Sequence, residues 1–130
     1  MNSKQLGAIG EKIAGDFLKG KRYKIVDKNY SNKFISGPLR GEIDIIAKKD
    51  GIIAFVEVKT ASSAGLFISP EEKVNFAKQK KLMKAAESWL IEKKIPLDSK
   101  WQIDIIAIEM DSQNKKAKIR HFKNAVSSAT

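Results

Sequence analysis

The sequence has no cysteine, a single histidine (His121) and three prolines in 130 residues. Without thiols, disulfide frameworks, cysteine nucleophiles and thiolate zinc sites are excluded, and one imidazole cannot build a multi-histidine centre. Any metal ion must therefore rest on carboxylates and backbone oxygens. No run of 18 apolar residues occurs, and the first residues lead into an amphipathic pattern rather than an apolar leader, so the chain reads as cytoplasmic with no membrane partner. Arginine is scarce. Lysine supplies most of the basic excess, 25 Lys and Arg against 15 Asp and Glu, for a formal charge of +10. Such a surface favours polyanions through salt-dependent attraction to phosphate, more than bidentate reading of guanine edges. Anionic lipid would attract the same charge, and a lysine-rich surface that serves solubility is the simplest alternative.

What is present suits one domain over 1–126 with a frayed tail at 127–130, large enough to bury a core unaided. Leu6, Ile9, Ile13, Phe17 and Leu18 recur at helical spacing over 3–19, with Gly20 placed to end the helix. A short strand is predicted over 23–26, a loop over 29–40 bearing Lys33 and Arg40, and strands over 43–47 and 52–58. Ser69, Pro70 and Glu72 form a capping-box start for a helix that should run to about Lys94. Its buried stripe would include Val74, Ala77, Leu82, Ala86, Trp89 and Leu90. Strands over 103–108 and 118–122, with a turn over 112–116, complete the order αβββαββ. That order implies an α/β fold, a mixed sheet flanked by helices, because its central strands are apolar on both faces.

Asp50-Gly51 carries the signature of a two-residue type I′ turn. Counting outward from it pairs Lys49 with Ile52, Ile46 with Phe55, Asp44 with Glu57 and Glu42 with Lys59. Strand alternation then puts Glu42, Asp44, Glu57 and Lys59 on one face, and Ile43, Ile45, Val56 and Val58 on the other. Two carboxylates directly opposite one another repel. Lys59 alone, protonation of one acid, or a divalent cation would each relieve them. A Mg²⁺ ion, with Mn²⁺ as a substitute, would suit two carboxylates and the Val58 carbonyl while leaving room for phosphate and water. A surface ladder of weak ion pairs is the plainer alternative.

At Gly41-Glu42-Ile43-Asp44 and Phe55-Val56-Glu57-Val58-Lys59 the chain resembles the YraN-like family, itself similar to archaeal Holliday-junction resolvases of the PD-(D/E)XK superfamily. The resemblance extends through Gly10-Glu11, Ala14, Asn29, Ser69-Pro70, Val74, Lys78-Gln79, Asp104, His121 and Asn124-Ala125. It implies a restriction-endonuclease-like core with Asp44, Glu57 and Lys59 as the nuclease centre. It also implies Glu11 as a further acidic ligand or water-orienting group, and DNA contacts at Lys33, Arg40, Lys78 and Gln79. The implied activity is a metal-dependent endonuclease on branched, flapped or single-stranded DNA. A junction with two scissile strands would call for a homodimer. The alternative is a non-catalytic module that binds nucleic acid or a repair partner. The stretch before Asp104, Trp101-Gln102-Ile103, departs from the family pattern, and Asp104 reads as structural; His121 reads as a packing or hydrogen-bonding residue.

Overall fold

The computed structural model describes residues 2–32, 35–37, 40–61, 76–111 and 116–126. Helix α1 (Ser3–Gly20) is followed by strands β1 (Lys24–Ser31), β2 (Glu42–Lys49) and β3 (Ile52–Ala61), helix α2 (Phe76–Glu92), and strands β4 (Trp101–Asp111) and β5 (Lys116–Phe122). The strands form one mixed sheet in the order β1-β2-β3-β4-β5. Only β3 and β4 run parallel. This is an α/β architecture compatible with a restriction-endonuclease-like core, with one helix on each face.

Helix α1 begins at a reciprocal cap: the Gln5 N–H donates to Asn2 Oδ1 at 2.9 Å, and the Asn2 N–H to Gln5 Oε1 at 3.0 Å. It ends at Gly20, as expected, with Lys21 as its C-cap. The left-handed position falls on Arg22, φ 72°, and the Tyr23 N–H reaches back to the Leu18 carbonyl at 2.9 Å. Strand β1 is longer than the four residues predicted, because its polar run is used. Asp27 Oδ2 accepts from the Trp89 indole at 2.9 Å, and the Tyr30 hydroxyl meets Ser88 Oγ at 2.9 Å, fastening α2 over β1. The start of the predicted loop at Asn29 therefore lies within the strand.

Ile43, Ile46, Phe55, Ile103 and Ile105 pack under α2 against Leu82, Ala86, Trp89 and Leu90. Ile45, Ala47, Val56, Ile106 and Ile108 pack under α1 against Ala14 and Leu18. Ala77 is exposed, since the first turn of α2 described here projects beyond the sheet, where Phe76 is 68% exposed. Helix α2 stops two residues before Lys94, which takes φ 57° while the Ile95 N–H closes on the Leu90 carbonyl at 2.9 Å. The capping box at Ser69, Pro70 and Glu72, Val74, most of the turn at 112–116 and the tail lie outside the described residues.

Candidate active site

Asp50 and Gly51 take φ 52° and 77°, the pair of positive values that a type I′ turn requires, and they set Lys49 opposite Ile52. The ladder then runs through Ile46–Phe55 and stops at Ile45–Val56. The next backbone donor in line, the Val58 N–H, goes instead to the Asp44 carboxylate, Oδ2, at 2.7 Å. The hairpin thus opens at the acids. The β2–β3 register among the described residues therefore contains neither of the expected pairs Asp44–Glu57 and Glu42–Lys59, while on its other edge β2 sets Glu42 opposite Ser31 of β1. Ile43 also differs from expectation, packing under α2 while Ile45 packs under α1. The faces of β1 and β2 change over together here, where Asn29 takes φ 51°.

Asp44 and Glu57 meet at the opening. Burial of the Asp44 carboxyl, then the charge of Glu57 and a hydrogen bond between the two carboxyl groups, push its pKa up to about 7; the Val58 N–H and Lys78 pull the other way. Glu57 is 6% exposed, and its Oε2 is buried without a hydrogen-bond partner among the described residues. Lys78 Nζ lies 3.4 Å from that oxygen, near enough for ionic attraction though not aligned as a hydrogen bond. Lys59, two residues beyond Glu57 on the same face, is half-buried and forms no ion pair among the described residues.

Two glycines bring the helices this close. A Cβ on Gly10 would meet Thr60 Oγ1 at 2.0 Å, so α1 crosses β3 just past Lys59 and sets Glu11 beside the site. Burial first, then Asp44 and Glu42, raise the pKa of Glu11, and Lys28 lowers it. Even so, among the described residues no three acidic or histidine side chains converge closely enough to hold an ion, so Glu11 stands outside the pair. A Cβ on Gly41 would lie 2.4 Å from the Lys81 carbonyl oxygen, one turn of α2 from Lys78. Because the obstacle is backbone, Gly41→Ala should displace α2 and destabilise the protein by about 1 to 3 kcal/mol, read as a lowered urea midpoint. An unchanged midpoint would mean that this close approach is not a constraint.

Of the residues expected to touch DNA, Lys78 is turned to Glu57, Gln79 is half-buried on α2, and Lys33 lies outside the described residues. Arg40 Nη2 donates to Ser31 Oγ at 2.6 Å and ties its loop back to β1. Of the three that are described, Lys78 lies against the acid pair, and Arg40 is held on the Ser31 side of β2. Lys28, which faces Glu11 electrostatically, carried no sequence signal beyond its place in a polar strand.

Residues 10–108, which run from the middle of α1 into β4, match the family model described as uncharacterised protein family UPF0102. The chain belongs to UPF0102. A UPF0102 protein of Alkaliphilus oremlandii (strain OhILAs) is 42% identical over 123 residues, covering 95% of this chain and 98% of that one. Another, from Clostridium botulinum (strain 657 / Type Ba4), is 37% identical over 123 residues, 95% of this chain and 94% of its own. UPF0102 is the YraN family, so the family expected from the motifs is the family found. Both Gly41 and Gly10, whose close contacts frame the acid pair, fall within the span matched to UPF0102.

Proposed function

We propose that this UPF0102 protein is a metal-dependent DNA endonuclease acting on branched, flapped or single-stranded DNA in the cytoplasm. The carrying observation is the contact between Asp44 and Glu57 where the hairpin opens, with Glu57 Oε2 buried and unbonded and Lys59 on the same face. Two acids in contact with a spare buried oxygen are a donor set suited to a hard cation, and they fit Mg²⁺ or Mn²⁺. Asp44, Glu57 and the Val58 carbonyl would hold the ion, with Glu11 as an outer acid. Bound there, it would supply positive charge against the phosphoryl oxygens as a phosphodiester is hydrolysed.

The chain's own groups do the rest. The Val58 N–H fixes the Asp44 carboxylate at 2.7 Å and so orients it toward Glu57. Lys59, without an acid partner among the described residues, is available to stabilise the negative charge that develops on the phosphate. Burial of Glu57 keeps the site's field from being screened by water. On a junction with two scissile strands, a homodimer would set one such site on each.

The Lys78 ammonium, 3.4 Å from Glu57, favours a second reading, since it supplies a cation to the acids without a metal; the protein would then bind nucleic acid or a repair partner without cutting. A cleavage panel of linear, flapped and four-way-junction DNA with Mg²⁺ or Mn²⁺ separates the two. Cleavage of at least one substrate is expected, with a loss of about 10²-fold or more in Glu57→Ala and Lys59→Ala. Undiminished cleavage by both variants would remove the assignment of the site, and no cleavage by the wild type would favour the binding module.

A further inference from the structure

The hairpin end of the sheet, remote from the acids, carries a concentration of charge that the nuclease site does not use. Arg22, Lys24, Lys48 and Lys49 line a cavity of about 460 Å³ at the Asp50-Gly51 turn. Lys24 and Lys48 are direct cross-strand partners, and both are exposed. Like charges so placed are destabilising. Among the described residues Asp50 is the only acid lining this cavity, and the described ion pairs leave both lysines without an acid partner.

Two further features hold the cations in place. Arg22 takes the left-handed position, φ 72°, which glycine occupies at far lower cost. The Lys49 ammonium lies over the Tyr23 ring, 5.1 Å from its centroid, and this cation–π contact holds it at the cavity. A solubilising surface has no need of lysines that face each other directly across two strands. A ligand that brings regularly spaced negative charge would relieve the repulsion.

We infer that this cavity is a second contact for the phosphate backbone of DNA, away from the proposed site of cleavage. Its position relative to the cut rests on the nuclease reading; binding of phosphate there does not. Lys48 follows Asp44 by four residues of extended chain, roughly 14 Å at about 3.4 Å per residue. Phosphates along one strand of a duplex advance about 3.4 Å per base pair, so the contact falls about four base pairs from the scissile phosphate. A duplex arm lying along the β2–β3 hairpin would meet acids at one end and lysines at the other, which recognises an arm without reading its bases.

The test compares full-length wild type with the double variant Lys24→Gln/Lys48→Gln, using anisotropy of a labelled flapped DNA over a series of salt concentrations. Two lost phosphate contacts should lower the slope of log affinity against log salt by about 1.8 and weaken low-salt binding about tenfold or more. Removal of the facing charges should leave the thermal midpoint unchanged or raise it, which separates lost binding from lost folding. Equal affinity and slope in the variant would overturn the inference, as would absence of DNA binding by the wild type. Binding to phosphatidylserine vesicles with none to DNA would also overturn it and point to lipid. If DNA binding depends on Lys24 and Lys48 while no substrate is cut, the inference stands and the endonuclease reading falls.

Discussion

In metal-free buffer at pH 8, Asp44→Asn should unfold at a higher temperature than the wild type, and with Mg²⁺ supplied it should show none of the wild type's DNA cleavage. The Asp44 carboxyl has an ordinary value of 3.8 and is raised to about 7 by burial and by Glu57. A raised acid contributes its stability in the protonated form, present in full below pH 4 and lost as the pH climbs through about 7. The shift sets a ceiling of about 4 kcal/mol on that loss. Asparagine escapes it: Oδ1 can accept the Val58 N–H as Asp44 does, and Nδ2 can donate to Glu57 where a second carboxylate repels. A net gain of about 2 kcal/mol, roughly 6 to 8 °C, is expected for a domain of this size. Across pH 4 to 8 the wild-type midpoint should fall more steeply than that of the variant. Mg²⁺ at about 100 times its dissociation constant should restore about 2.7 kcal/mol to the wild type and nothing to the variant. A variant less stable than the wild type at pH 8 would show that the two acids are not in conflict.

Asp104→Ala should be the most damaging single change away from the site. Asp104 is fully buried and accepts from the Gln102 amide at 2.9 Å and the Asn124 N–H at 2.9 Å, while His121 Nε2 lies 2.8 Å from its other oxygen. His121 in turn packs against Phe17 and Tyr23, so one carboxylate joins β4, β5, the turn after β5 and the α1 side of the core. Truncation leaves those groups without their acceptor, a loss of about 3 to 5 kcal/mol in urea unfolding. Asp104→Asn keeps the volume and one acceptor and should cost roughly half as much. Cleavage per folded molecule should be unchanged below the midpoint, because none of these contacts reaches Asp44 or Glu57. A loss under about 1 kcal/mol for alanine would contradict this structural role.

The hairpin was legible in sequence because its chemistry is local. Asp50-Gly51 supports only a few turns, and the turn fixes the register as far as Ile45–Val56. The register fails where non-local contacts take over. Asn29 in a left-handed conformation and the bulge between Ile25 and Asp27 re-aim β1, and with it the start of β2, so Ile43 changes face and the β2–β3 ladder ends at Ile45–Val56. Asp27, Lys28 and Asn29 have the polarity of loop residues, and the strand extends through them because the Trp89 indole of α2 reaches Asp27. Lys78 looked like a DNA-facing lysine; its distance from Glu57 is set by how closely α2 passes Gly41, which no periodicity encodes. The role of Asp104 and His121 was legible in outline, since a lone acid in an apolar strand must find donors.

The proposal that Asp44 and Glu57 jointly hold a divalent cation is tested most directly by anomalous scattering from crystals soaked in Mn²⁺ near pH 8. An anomalous peak within about 2.3 Å of a carboxylate oxygen of each residue is the expected result, with the Lys78 ammonium displaced from its present position 3.4 Å from Glu57 Oε2. An empty map, with Lys78 still against Glu57 and the two carboxyl groups still hydrogen-bonded to each other, would contradict it.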